Sequence, residues 1–256
     1  MKIGTILTAT DSNPLYCDFI PMFVEAWKCL FPECDVCVLL IADELPEHLE
    51  KCKESIRLVK PNPNLHPAFH SQCIRLLYPQ LIERNEGVLI TDMDMIPLNR
   101  HYYEDPIRNI PDDAFVTYRD NSYPHELYMC YNVAHPSVWR DMFVGEELES
   151  WYTREFYDGN PGGSGWNIDQ RVLTEKFEAY QGKKIILNDK ITKYYRLCRS
   201  EPRAFYNVSQ LELAIRKGMY SDYHALRPYK THKEINDFIV ECLYSGIPQN
   251  TSVRRD

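Results

Sequence analysis

The stretch Gly87-Val88-Leu89-Ile90-Thr91-Asp92-Met93-Asp94-Met95-Ile96-Pro97-Leu98 frames the reading of the whole chain. Gly87 to Thr91 is an unbroken run of small and apolar side chains, which predicts a strand buried on both faces. Asp92 and Asp94 follow it directly. If the strand ends there, both carboxylates sit at the carboxyl edge of the sheet, where open α/β sheets bind their ligands. Two like charges at an apolar strand end repel each other and lose hydration, so they call for a cation. A hard divalent ion is the natural partner and would bring phosphates with it. Two solvated turn aspartates are the plain alternative.

Working outward, the N-terminal side alternates. Lys2 to Thr8 predicts a strand that breaks into the polar Thr10-Asp11-Ser12-Asn13-Pro14. Phe19 to Phe31 carries a helical stripe at Phe19, Met22, Phe23, Ala26, Trp27 and Leu30. Asp35 to Ala42 is a second strand, Leu45 to Lys53 a short helix and Ile56 to Val59 a third strand. Ala68 to Arg84 is helical, kinked or split at Pro79. Strands alternating with helices predict a parallel sheet covered by helices. On the C-terminal side, Ala114 to Tyr118, Tyr128 to Ala134 and Lys184 to Leu187 read as strands. Ser137 to Val144, Glu146 to Tyr157, Ile168 to Phe177, Ser209 to Lys217 and His232 to Tyr244 read as helices. Asn160-Pro161-Gly162-Gly163-Ser164-Gly165 reads as a mobile active-site loop rather than a domain boundary. No repeat or linker interrupts the chain. The expectation is one α/β domain over 1–256, with a nucleotide-binding half over about 1–100 and an acceptor-binding half over about 101–256 that includes the C-terminal helix.

Composition limits the function classes. With 29 Lys+Arg against 37 Asp+Glu the net charge is −8, and no basic run exceeds two residues, which argues against nucleic acid as the main partner. The most apolar run, Val36 to Ala42, is far short of the ~20 residues of a membrane span. The N-terminus lacks the apolar core of a secretory signal. The nine cysteines then read as reduced thiols of a cytoplasmic protein, and Cys34-Asp35-Val36-Cys37 lacks the second pair that a zinc site would want. The 18 tyrosines suit either a wet carbohydrate pocket or a tyrosine-rich core.

Two enzyme classes place Asp-x-Asp after a strand. Haloacid-dehalogenase-like phosphatases carry it on the first strand, with Thr or Val two residues after the second Asp, where this chain has Ile96. Nucleotide-sugar glycosyltransferases of GT-A fold are the other class, and the surroundings favour them. Cys73-Ile74-Arg75-Leu76-Leu77-Tyr78-Pro79 resembles the Arg-Leu-x-x-Pro helix before the metal motif of family-8 glycosyltransferases, the family of glycogenin and of bacterial lipooligosaccharide galactosyltransferases. Tyr131-Asn132-Val133-Ala134 resembles their Phe-Asn-Ser-Gly strand, without the Ser-Gly. Trp166-Asn167-Ile168-Asp169-Gln170-Arg171-Val172-Leu173 resembles their Asp-Gln-x-x-Leu helix. Ser221-Asp222-Tyr223-His224 with Arg227-Pro228-Tyr229 resembles their late His and Lys-Pro-Trp, at a shorter spacing and without the intervening Gly. The chain also looks like small GT-A enzymes of large DNA viruses.

The resemblance implies a GT-A, Rossmann-like, mixed and mainly parallel sheet flanked by helices. It implies a sugar transferred from a nucleoside diphosphate, by family resemblance UDP, to an acceptor hydroxyl of a glycan, with Mn²⁺ or Mg²⁺. Asp92, Asp94 and His224 are the implied metal ligands, through a neutral ring nitrogen for His224; outside the resemblance His224 is an ordinary imidazole. Thr8, Ala9 and Thr10 would cradle the base and ribose. Tyr16 either stacks on the base or covers the loop. Arg75 either reaches the donor or is a solvated helix cation. Met93 and Asn132 complete the donor set, and Arg227 and Lys230 are the diphosphate cations. Asp169 and Gln170 are the catalytic pair beside the reacting sugar, although an Asp at a helix start also favours the helix dipole. Trp166 and Tyr123 are candidates for an acceptor surface formed by Asn121 to Leu127 and Asp158 to Trp166. Two alternatives stand beside this reading. One is a metal-dependent phosphatase, for which Lys184 or Lys190 would supply the lysine. The other is a non-catalytic nucleotide-sugar-binding protein.

Overall fold

The run beginning at Ile3 forms β1 (Ile3–Asp11), buried along its entire length, so it takes the centre of a sheet. The computed structural model describes residues 1–119, 126–188, 193–201, 205 and 207–246. After β1 come α1 (Pro14–Cys17), α2 (Ile20–Leu30), β2 (Asp35–Ile41), a 3₁₀ turn over Glu47–Ser55, β3 (Ile56–Val59) and α3 (Pro67–Leu77). Then follow β4 (Gly87–Ile90), β5 (Met95–Pro97), α4 (Arg100–Glu104), β6 (Ala114–Thr117), β7 (Asn132–Ala134), α5 (Pro136–Phe143), α6 (Leu148–Tyr152) and α7 (Ile168–Ala179). The chain ends with β8 (Lys183–Ile186), β9 (Tyr195–Cys198), α8 (Val208–Arg216), β10 (Tyr220–His224) and α9 (Lys233–Gly246).

The large sheet has seven strands in the order β3-β2-β1-β4-β7-β6-β8. β3, β2, β1 and β4 run parallel, β7 is antiparallel to both its neighbours, and β8 is parallel to β6. Alternate side chains of these strands enter two separate cores, because a pleated strand turns successive residues to opposite faces. Ile6, Val38, Leu40, Leu89, Val116 and Val133 pack on one face with α2. Leu7, Leu39, Val88, Ile90, Phe115 and Ala134 pack on the other with α3, α5 and α7. The unbroken apolar runs in the sequence are this two-sided burial. Most of the buried tyrosines serve the first core: Tyr102, Tyr103, Tyr118 and Tyr131 form one sealed cluster that meets Trp27 through Tyr103 and Tyr131, and Tyr118 Oη donates to the Tyr103 carbonyl at 2.5 Å.

Several boundaries differ from expectation for local reasons. The helix expected over Ala68 to Arg84 is α3 to Leu77 and then a 3₁₀ turn over Tyr78–Leu81, since Pro79 offers no N–H and crowds the preceding turn. The strand expected from Tyr128 keeps only Asn132–Ala134, because Asn132 Nδ2 takes the carbonyls of Tyr128 and Met129 at 2.8 and 2.9 Å. The helix expected over Glu146 to Tyr157 is the short α6, where the Thr153 hydroxyl caps back on the Ser150 carbonyl. A second sheet of three strands, β5-β10-β9, was not foreseen. All nine cysteines are free, and Cys34 Sγ donates to the Ile3 carbonyl. No described helix is long and apolar enough to cross a membrane.

Candidate active site

The carboxyl ends of β1 and β4 open into a cavity of about 470 Å³, a size suited to a small-molecule ligand. Thr91 N–H bonds the Leu7 carbonyl at 3.0 Å, the last tie of β4 to β1. The chain then turns, Met95 N–H closing on the Asp92 carbonyl at 3.2 Å, and leaves as β5. That turn presents Asp92, Met93 and Asp94 to the cavity. β5 pairs antiparallel with β10, which sets His224 opposite Met95, and Ala225 N–H locks the junction on the Asp94 carbonyl at 2.8 Å. The small sheet thus brings the late histidine to the Asp-x-Asp turn.

Two charged centres flank the turn. In the first, Arg75 rises from the last turn of α3 and engages all three of its nitrogens. Nη1 reaches Asp92 Oδ1 at 2.5 Å and the Thr91 carbonyl at 2.9 Å; Nη2 reaches Asp169 Oδ2 at 3.0 Å; Nε reaches the Gln72 carbonyl at 3.2 Å. Asp169, in the first turn of α7, also accepts the Gln170 N–H at 2.8 Å. Burial pushes the Asp169 carboxyl up to about 7, against the pull of the Arg75 guanidinium.

In the second centre two guanidinium groups and one imidazole converge on one oxygen, Asp94 Oδ2. Arg199 Nη1 lies at 2.5 Å, His224 Nε2 at 3.5 Å and Arg227 Nε at 3.6 Å. Burial alone would raise the Asp94 carboxyl, but His224, Arg199 and Arg227 outweigh it and hold it well below the usual carboxylate range. Arg227 also lies over the Tyr16 ring, 5.0 Å from its centroid, and Nη1 bonds the Tyr16 hydroxyl. Tyr16 continues into a stack with Trp166 and then Tyr157, with centroids 6.5 and 6.2 Å apart. Gln72 pins that stack from α3: Nε2 donates to the Trp166 carbonyl and Oε1 accepts from Tyr157 Oη. The Gly-rich loop turns around Asp158, whose carboxylate accepts from the Asn160 and Ser164 N–H groups, and sets Pro161 and Gly162 at the cavity. Gly165 is required there: its φ is +74°, and a Cβ would meet the Phe156 carbonyl at 2.8 Å.

The cavity gathers most of the residues singled out in the sequence: Ala9, Thr10, Tyr16, Arg75, Asp92, Met93, Asp94, Trp166, Asp169, Gln170, His224 and Arg227 all line it. Three others stand elsewhere. Thr8 is fully buried within β1, beneath the lining. Asn132 is sealed in β7 and acts on the backbone of Tyr128 and Met129, which do line the cavity. Lys230 points to solvent and pairs with Asp18 at 3.1 Å, because the turn after Pro228 carries it outward. The expected trio Asp92, Asp94 and His224 is also divided. Arg75 draws Asp92 toward Asp169, and among the described residues no three His, Cys, Asp or Glu side chains form a metal cluster. Tyr123, most of the Asn121 to Leu127 segment and Lys190 lie outside the described residues. Sequence reading passed over Asp11, Gln72, Arg196 and Arg199, all of which line the cavity.

No protein-family model matches the chain, and no curated protein matches it in sequence. Solved structures do. The galactosyltransferase LgtC, solved with donor and acceptor sugar analogs, superposes with a TM-score of 0.52 at 13% identity, over 94% of this chain and 95% of that one. The bifunctional glycosyltransferase WbbM, in its apo form, gives a TM-score of 0.53 at 12% identity, over 94% of this chain and 49% of that one. The fold is GT-A, as the sequence resemblance implied: a single α/β unit with a mainly parallel sheet flanked by helices.

Proposed function

From a GT-A fold with both charged centres in one cavity, we propose that the chain is a metal-dependent glycosyltransferase. It moves a sugar from a nucleoside-diphosphate donor, UDP on the family resemblance, to a hydroxyl of a glycan-type acceptor. One observation carries the reading. Arg75 ties Asp92 to Asp169 across the cavity, so the turn that faces a diphosphate and the helix that faces a reacting sugar share one rigid cation. The likeness to LgtC supports the same reading. The nine unpaired thiols fit a reducing, cytoplasmic setting.

The donor set at Asp94 fits a hard divalent ion. A carboxylate oxygen and an imidazole nitrogen face the cavity 3.5 Å apart, and the Arg199 guanidinium already stands against that oxygen in a cation's place. Asp94 and His224 would hold Mn²⁺ or Mg²⁺, with Asp92 beside them. When bound, the ion neutralises charge developing on the departing diphosphate. The chain's own residues do the rest. Ala9 and Thr10 floor the nucleoside end, and Tyr16 offers its ring to the base. Arg227 grips phosphate oxygens. Asp169 and Gln170 border the sugar. The product anomer separates two roles for them. Inversion makes Asp169 the base that takes the acceptor proton; retention makes the pair the group that steadies positive charge on the sugar. The donor end belongs to the 1–100 half, and the acceptor end to the 101–256 half.

The phosphatase reading is disfavoured. No lysine lines the cavity among the described residues, and Lys184 Nζ is bound to the Glu178 carbonyl. Thermal unfolding with UDP, GDP and ADP, each with and without Mn²⁺, is the test. At ~100 times its dissociation constant a ligand adds roughly 2.7 kcal/mol. At ~2–4 °C per kcal/mol the expected rise is about 5–10 °C for one nucleotide, dependent on Mn²⁺ and lost in Asp94→Ala. A response to beryllium fluoride in place of nucleotide would favour the phosphatase. UDP binding without sugar release or transfer would favour the non-catalytic protein.

A further inference from the structure

We propose that Arg199 is an exchangeable counter-ion. It holds Asp94 while the site is empty of ligand, and yields that carboxylate to the divalent ion as its own guanidinium moves to the donor diphosphate. This rests on the glycosyltransferase reading above.

Asp94 is nearly sealed, with 5% of its side chain exposed, so its charge needs a cation at all times. One oxygen, Oδ2, takes the Arg199 and Arg227 guanidinium groups beside the His224 ring, and two guanidinium groups already carry more positive charge than a single carboxylate calls for. An ion bound to Asp94 Oδ2 and the Arg199 Nη1 now 2.5 Å from it would compete for one coordination direction and repel each other. Of the three side chains, Arg199 is the one built to leave. His224 is fixed on β10, and Arg227 is anchored by Tyr16. Arg199 follows the end of β9 and has one further tie, to the Ala225 carbonyl at 3.2 Å. It lines the cavity, so its swing stays within the site. A guanidinium that leaves a single carboxylate oxygen can grip two oxygens of a diphosphate.

The consequence is a coupling. Without nucleotide, the ion must displace Arg199. With nucleotide, the phosphates draw Arg199 away and Asp94 is open to the ion. Nucleotide and metal then each tighten the other's binding by the same factor.

The test measures Mn²⁺ binding to nucleotide-free protein by electron paramagnetic resonance of the free ion. It also measures UDP affinity by calorimetry at saturating Mn²⁺. Wild type is compared with Arg199→Ala, Arg199→Gln and Arg199→Lys. Removing the guanidinium is expected to tighten Mn²⁺ binding and weaken UDP binding, each by about 10-fold, within the usual range of coupling. Lysine restores part of both effects. Glutamine, which keeps a donor for the Ala225 carbonyl, behaves as alanine and carries the reading if the alanine variant does not fold. Opposite shifts are the signature, since a merely structural residue would weaken both ligands. Neutral variants that bind Mn²⁺ no more tightly than wild type overturn the exchange, whatever happens to UDP. Wild type that binds Mn²⁺ but none of the nucleotides overturns the glycosyltransferase reading itself.

Discussion

The Arg75 and Arg199 centres flank the same four-residue turn and use the same chemistry, yet water reaches them differently. Arg75 is 6% exposed and bridges two carboxylates with every nitrogen engaged. Arg199 is 24% exposed and shares one oxygen with Arg227 and the His224 ring. Burial makes the first a fixed part of the fold, since removing it would strand two carboxylates in a low-dielectric interior. Partial exposure leaves the second replaceable. The same kind of ion pair is sealed on one side of Asp-Met-Asp and open to water on the other.

The largest effect that would sharpen this contrast is on stability. Arg75→Ala is expected to cost about 3–5 kcal/mol, the usual penalty for breaking a buried pair from one side. At ~2–4 °C per kcal/mol the midpoint of thermal unfolding falls by on the order of 6–20 °C. A loss no larger than that of Arg199→Ala would break the comparison.

The next effect is in pH. Asp169 titrates near 7 in the folded protein, against ~3.9 for an unperturbed aspartate. Between these values the folded chain holds a proton that the unfolded chain has lost. This group therefore makes stability fall as pH rises from ~4 to ~7, by at most ~1.4 kcal/mol per pH unit, and adds no slope above that window. Denaturant unfolding across the window should show this component in wild type and lack it in Asp169→Asn. An identical slope in both would mean that Arg75 keeps Asp169 ionised throughout.

The smallest effect is the stability of Arg199→Ala. Its pair is partly solvated, and His224 and Arg227 remain on Asp94, so the cost should stay within ~1 kcal/mol, read as a shift of no more than ~4 °C. A larger loss would place Arg199 in the same structural class as Arg75.

The division between what the sequence tells and what it hides follows the same physics. β1, β2, β3 and β4 were legible because sheets covered on both faces demand unbroken apolar runs. β9 and β10 were not, because Tyr195-Arg196-Leu197-Cys198 and Tyr220-Ser221-Asp222-Tyr223-His224 carry Arg196 and the buried Asp222, which pair with each other and with Arg119 beyond β6, where apolar residues would mark a strand. Asp92, Asp94 and Asp169 stood out because each sits at the end or start of a regular element. Arg199 did not, since its partner lies 105 positions away and an arginine in a loop has no local mark. Lys230 shows the converse error: it stood close to the expected place in sequence, but the turn aims it at Asp18.

The pairing of β5 with β10 has a consequence for how the molecule comes to be competent. Side chains alternate along a strand, so a slip of one residue in that pairing would turn His224 away from Asp94 and aim Tyr223 in its place. The register is guarded by Tyr223, whose hydroxyl bonds Asn236 in α9 and receives the Leu226 N–H. The seven strands of the main sheet are all complete by Ile186, but the imidazole arrives only when a distant segment has docked in one register, held there by the final helix.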